Sequence, residues 1–320
     1  QDSEKKSGSA ETGEKVMKLA VATAEDRSLT KGLVKFGELV EEKTNGSIKV
    51  EVYPNNQLGG DREVFESMQM GSIEASSMST GVIAQFLDSY NAFDLPFLFP
   101  DREIAYKVLD GEFGKKMLAE LDSQNIVGVN YFENGYRHLT NDVREIKSPE
   151  DLNGLKIRTL ESEIHIDIWK TLGANPTPMA YSELFSGLQQ GVVEGQENPI
   201  GNVVSNKFFE VQDYITMTGH VYNASPLLFG KDFWMSLSEE EQTAIQEAAD
   251  EARDYQRELN YQEDMDGIKM LEEEGITITE LDDEQKEAFF NASKPVYEKY
   301  SSVIGEDIVN ELLDEIKKYK

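Results

Sequence analysis

The sequence predicts an α/β protein of two lobes, and three observations carry that expectation. At 320 residues the chain exceeds the size at which a single core usually stops growing. From Val16 onward, short apolar runs alternate with segments of helical period, the pattern of βαβ units. The same alternation then returns, at low similarity, after a turn at Asn134-Gly135. Two separate sheets joined by crossing strands account for this most economically.

Residues 16–23 (VMKLAVAT) read as a strand. Leu29, Leu33, Phe36 and Val40 follow at i, i+4, i+7 and i+11 on one helical face, and Asn45-Gly46 ends that helix. IKVEVY (48–53) is a second strand closed by Pro54. Gly59-Gly60-Asp61 opens a helix to about Met70 with Asp61 near its N-cap, and IEASSMS (73–79) is a third strand. In the second set, LKIRT (155–159) is a strand, and a helix carries Ile164, Ile168 and Leu172. A strand near Thr177 precedes a helix at 182–190, and VVEGQ (192–196) is a strand stopped by Asn198-Pro199. Ser238 with Glu241 forms a capping box for a helix running to about Glu274, which either bends near Gly267 or bridges both lobes. ITITEL (276–281) and amphipathic segments at about 283–302 and 306–317 complete the chain.

Composition removes several classes of function. The 31 Lys and Arg oppose 61 Asp and Glu, a net charge of −30 that repels phosphate backbones and anionic lipid, so nucleic acid is not an expected partner. With no cysteine there is no disulfide, thiol nucleophile or cysteine-held metal. No apolar run approaches the roughly 20 residues of a spanning helix, and mean hydropathy is −0.51. A chain beginning at Gln1 is expected to be processed. Residues 1–15, rich in Ser, Gly, Glu and Lys, read as a flexible tether, either a spacer beneath a lipid anchor or a frayed terminus.

The catalytic motifs are weak. Ser28-Leu29-Thr30-Lys31 matches S-x-x-K without its companion strings, and reads as an ordinary helix start. There is no nucleophile elbow, P-loop or dinucleotide fingerprint, so no cofactor is expected. His138, His165 and His220 lack metal-ligand spacing; structural roles are expected for all three, and no metal site. The informative residues are cations at strand ends. Alternation with Leu155 and Ile157 puts Arg158 at the carboxyl edge of its strand, where open α/β sheets bind ligands, and a guanidinium suits a carboxylate through two parallel hydrogen bonds. An internal Asp or Glu is the competing partner. Arg137 and Asn198 are read at similar strand-to-loop transitions.

Longer strings carry more information. YPNNQLGGDRE (53–63), GYRHLTN (135–141), LNGLKIRTLESEIH (152–165), LGANPTPMAYSELFSGLQQGVVEGQENP (172–199) and KFFEVQDYITMTGH (207–220) closely resemble the DctP-type solute-binding proteins of tripartite ATP-independent periplasmic (TRAP) transporters, over roughly residues 16–317. The resemblance implies a two-lobed periplasmic-binding-protein-like fold, each lobe a mixed sheet flanked by helices, with a long helix spanning both and closure over a small organic acid. It divides the chain into a first lobe of 16–135 plus 224–264 and a second of 136–223 plus 265–320. It implies a monomeric, non-enzymatic, extracytoplasmic protein, periplasmic or lipid-tethered, whose partners are the acid and the TRAP membrane subunits.

Position by position, Arg158 matches the arginine that pairs with the ligand carboxylate and Asn198 the asparagine beside it. Arg137 matches a second arginine used by some members, and Tyr181 an aromatic residue that packs on the ligand. Asp61 and Ser79 match first-lobe positions at the ligand's distal end, and Glu25 lies in the first strand–helix loop facing the cleft. Where the family commonly has Val-Pro-Glu-Ser after the arginine, this chain has Thr159-Leu160-Glu161-Ser162, and Glu161 is expected to bond ligand hydroxyls or to cap the next helix. These acceptors favour a hexuronate such as glucuronate or galacturonate, with a C4-dicarboxylate, hydroxy acid or sialic acid as alternatives and a sugar-acid enzyme as a remote one.

Overall fold

The computed structural model describes residues 13–320. Its strands are β1 (Lys15–Ala20), β2 (Ile48–Tyr53), β3 (Ala75–Ser77), β4 (Ile126–Asn141), β5 (Lys156–Thr159), β6 (Asn175–Pro178), β7 (Gly195–Asn198), β8 (Tyr214–Gly230) and β9 (Thr277–Glu280). All join one mixed sheet in the order β2-β1-β3-β8-β4-β7-β5-β6, with β9 beside β8. This corrects the expectation of two separate sheets. β4 and β8 are 16 and 17 residues long and pair antiparallel from Ile126–Gly230 to Asn141–Tyr214, so they run through both lobes. β3 adds to one end of β8, and β7 adds to the opposite end of β4.

Register shifts interrupt this pair between Gly128 and Asn130, Glu133 and Gly135, and Arg137 and Leu139. Each bulge turns side chains to the other face, which erases the period-two signal by which so long a strand would be read from sequence. Gly135 has φ +120°, a conformation open to glycine but strained for other residues. The tether reading falls mostly on residues 1–12, outside the described residues, but Lys15 already belongs to β1 and donates its N–H to Ser47 O at 2.9 Å.

The helices are α1 (Ser28–Lys43), α2 (Asp61–Gln69), α3 (Thr80–Ile83), α4 (Arg102–Asp110), α5 (Glu112–Glu120), α6 (Glu163–Thr171), α7 (Leu184–Gln189), α8 (Ile200–Ser205), α9 (Lys231–Met235), α10 (Glu239–Glu273), α11 (Asp283–Ile304) and α12 (Glu306–Lys318). The predicted stripe of α1, Leu29, Leu33, Phe36 and Val40, is buried. α10 starts at the Ser238–Glu241 capping box and spans 35 residues, packing on α1, then β4, then α8. At Gly267 a Cβ would lie 2.7 Å from Ile200, so glycine there lets the helix approach the second lobe.

Midway along α10, polar side chains repair the bulged backbone. Gln256 accepts from Glu133 N at 2.9 Å and donates to Glu133 O at 2.7 Å, and Asn260 Nδ2 donates to Glu133 Oε2 at 3.2 Å. Buried main-chain groups that leave a ladder need such partners. At the C-terminus, α11 packs on α6 and on the 3-10 turn at 88–94, and α12 packs on α4 and α5, so this pair touches both lobes.

Candidate functional site

Strand alternation in β5 sends Ile157 into the core and Arg158 into the cleft between the lobes. Arg158 is 2% exposed. Its Nε donates to Met179 O at 2.9 Å, which orients the guanidinium, and Tyr181 sits with its ring centroid 5.9 Å from the guanidinium carbon. Among the described residues no protein group accepts from either terminal nitrogen, so the predicted internal competitor does not take them. Burial, and then the neighbouring Arg137, lower its pKa to about 10. Arg158 is thus a buried cation whose two terminal nitrogens no described protein group uses.

Arg137 differs. It lies in the middle of β4 and not at a strand-to-loop transition, and its fork is already filled. Nε and Nη2 donate to the two Glu197 carboxylate oxygens at 2.6 and 2.8 Å, and Nη1 donates to Asn223 Oδ1 at 2.9 Å. Burial would raise Glu197, but Arg137 and the bond from His220 hold it well below the usual carboxylate range. Arg137 lines the cleft as a saturated cation. Asn198 ends β7, which runs 195–198 and not 192–196; its Nδ2 donates to Gln196 Oε1 at 2.6 Å, and its Oδ1 accepts from Asn202 at 2.8 Å. Tyr181 opens a short 3-10 turn before α7, and its hydroxyl donates to Asn206 Oδ1 at 2.9 Å.

The first lobe supplies the facing wall. Asp61 is the first residue of α2, with Gly60 as N-cap, and Ser79 caps α3 by accepting from Gly81 N at 3.3 Å. Ser79 also accepts from Asn223 at 2.9 Å. Both line the cleft together with Arg158, Glu161, Tyr181 and Asn198, around a space partly open to solvent. Burial pushes the Asp61 carboxyl up to about 7, Arg158 opposing and Glu161 and Glu63 adding to the rise.

Glu25 is the exception. It is exposed and lines a different groove, with Lys31, Lys35 and Tyr255, because the loop after β1 turns Arg27 inward and leaves Glu25 and Asp26 to solvent. Arg27, missed in the sequence, is fully buried and ties the lobes together. It donates to Asn202 Oδ1 of α8 at 2.6 Å, to Asn134 Oδ1 of β4 at 2.7 Å, and to Glu263 of α10. Asn56 also lines the cleft, from a left-handed Asn55-Asn56 turn inside the PNNQLGG string. That paired-asparagine turn was a readable signal; nothing local marks Arg27.

The remaining candidates have ordinary partners. Ser28 Oγ bonds Asn260 Oδ1 at 2.7 Å, as a helix start and not a nucleophile. His165 bonds Asp94 at 2.7 Å, His220 bonds Glu197 at 2.8 Å, and His138 accepts from Gly219 N at 3.0 Å, its pKa lowered to about 3 chiefly by burial. Among the described residues no His, Asp and Glu group has metal-holding geometry, and no helix is long and apolar enough to cross a membrane.

The sequence matches the bacterial extracellular solute-binding proteins of family 7 (DctP) over residues 19–303. The chain belongs to this family. The C4-dicarboxylate-binding periplasmic protein DctP of Rhodobacter capsulatus is 33% identical over 92% of this chain and 89% of its own. The sugar acid binding protein DctPAm of Advenella mimigardefordensis, solved with galactonate, superposes with TM-score 0.94 at 35% identity, covering 96% of this chain and 99% of its own. A TRAP periplasmic solute-binding protein from Sulfitobacter, solved with β-D-galacturonate, gives TM-score 0.90 at 30% identity over 95% and 100%. The DctP relatives are solute-binding proteins of transporters, and their partners are small organic acids.

Proposed function

We propose that this protein captures a sugar acid outside the cytoplasm and delivers it to TRAP membrane subunits. The unfilled, buried fork of Arg158 carries the reading. The acid's carboxylate takes both terminal nitrogens, with Asn198 beside it and Tyr181 against the ligand's body. Asp61 and Glu161 accept hydroxyls across the cleft, and Ser79, whose lone pairs are taken by Gly81 and Asn223, donates its O–H. Closure turns on β4 and β8 where they bulge between 133 and 139, moving 16–135 plus 224–264 against 136–223 plus 265–320. Only contacts made in the closed state drive this, and they are the ones that hydroxyls offer to both walls. The protein acts as a monomer, periplasmic or held at the outer face of the membrane by a lipid.

A hexuronate is the first ligand assigned. The galactonate of the Advenella protein favours the open-chain aldonate as a second reading. Thermal-shift screening of uronates, aldonates, C4-dicarboxylates and sialic acid, followed by calorimetry, tests both. A uronate response is expected; a dicarboxylate response with no sugar acid overturns the assignment.

A further inference from the structure

We infer that Asp61 and Glu161 together set the charge of the acid this cleft accepts: their two unpartnered carboxylates, one on each lobe, admit a polyhydroxylated monoacid and turn away the diacid of the same carbon skeleton. The inference rests on Arg158 taking the ligand's carboxylate.

Asp61 projects from the first turn of α2 and Glu161 from the loop after β5, and both line the cleft that holds Arg158. Among the described residues neither of these half-buried side chains bonds a protein donor, whereas the fully buried Glu197 behind the cleft is engaged by Arg137 and His220. Among the described residues the cleft therefore presents one free cation, Arg158, and two free anions. One ligand carboxylate satisfies the cation. A further ligand oxygen that reaches Asp61 or Glu161 meets acceptors, so it must bring a hydrogen. A hydroxyl does; a second carboxylate does not, and a like charge set against two carboxylates costs at least about tenfold in affinity once closure shields them from water. Arg137 cannot rescue the diacid, since Glu197 and Asn223 occupy its fork. The Glu161 carbonyl accepts from Gln85 of the first lobe, which holds this loop against the facing wall.

The groups facing Asp61 are Arg158 from β5, Glu161 from the following loop and Glu63 from its own helix, and with its carboxyl pushed up to about 7, exclusion of a diacid relaxes as pH falls through that value. Galactonate and galactarate differ only in the terminal hydroxymethyl and carboxylate, so they isolate the effect; galacturonate adds the ring form. Calorimetry on the full chain at pH 8 and pH 6 compares wild type, Asp61→Asn, Glu161→Gln and the double variant. Wild type should bind galactonate or galacturonate and hold galactarate roughly a hundredfold more weakly at pH 8. The double variant should narrow that gap at least tenfold, galactarate gaining on galactonate even as the monoacid loses two hydroxyl acceptors, and wild type should narrow it at pH 6 where Asp61→Asn does not. Equal binding of galactonate and galactarate by wild type, or an unchanged gap in the double variant, overturns the inference and leaves the role of Arg158 standing. Failure of wild type to bind any monoacid overturns the sugar-acid reading and this inference with it.

Discussion

Arg158→Met separates a binding role from a structural one, because the two predict opposite signs. In the empty protein, burial and Arg137 lower the Arg158 pKa from 12.5 to about 10. At about 1.4 kcal/mol per tenfold change, the fold disfavours the charged form by roughly 3 kcal/mol. An arginine with a depressed pKa carries this penalty in full below about pH 10 and sheds it as pH rises through the unfolded value, so it acts throughout the physiological range. Methionine fills similar space without charge and gives up one hydrogen bond, to Met179 O, worth about 1 kcal/mol net. The empty variant should therefore unfold at the same temperature as wild type or up to about 3 °C higher, at an unfolding entropy of about 2.1 cal/mol/K per residue. Ligand binding should move the other way. Truncating one partner of a buried charge pair costs about 2–5 kcal/mol, at least a 30-fold loss of affinity. Calorimetric titration with the acid found by screening, alongside thermal denaturation of the empty protein, reads both. An unchanged dissociation constant, or a melting temperature several degrees below wild type, refutes the reasoning.

Three further outcomes follow from the same geometry. Arg27→Met strips partners from Asn202, Asn134 and Glu263 and should destabilise the protein by about 3 kcal/mol or more, seen in chemical denaturation; a variant as stable as wild type contradicts the interlobe tie. In Gly81→Ala the new Cβ would meet Asp94 at 2.7 Å and Leu160 at 2.8 Å, so the variant should resist closure, weaken the sugar acid about tenfold without touching it, and enlarge the liganded radius of gyration in solution scattering; wild-type affinity would refute it. Asp61 binds its proton more tightly folded (about 7) than unfolded (about 3.8), so the unfolded state holds fewer protons between those values and stability falls as pH rises across them. Asp61→Asn should flatten that slope in a denaturation series from pH 4 to 8, and an identical slope counts against the raised pKa.

Much of the fold was legible because it is written in short-range periodicity. The stripe of α1, the capping box of α10 and the alternation that aims Arg158 away from Ile157 each depend on residues within a few positions of one another. β4 and β8 were not legible, since their bulges break the alternation and their polar residues Glu133, Asn134 and Arg137 find partners on distant elements. The fate of Glu25 turned on whether Arg27, two positions on, was buried.

By itself the sequence determined the α/β class, the long helix, the family and the arginine at the carboxyl edge of β5. Only the tertiary structure decided that the lobes share one sheet, that Arg137 is saturated by Glu197, 60 residues away, while Arg158 is free, and that Arg27 meets Glu263 across 236 positions. Periodicity reports which face of an element leaves water. Which buried charges meet, and which is left without a partner, depends on distances set only when the elements dock, and in a dry cleft that pairing decides what each charge can bind.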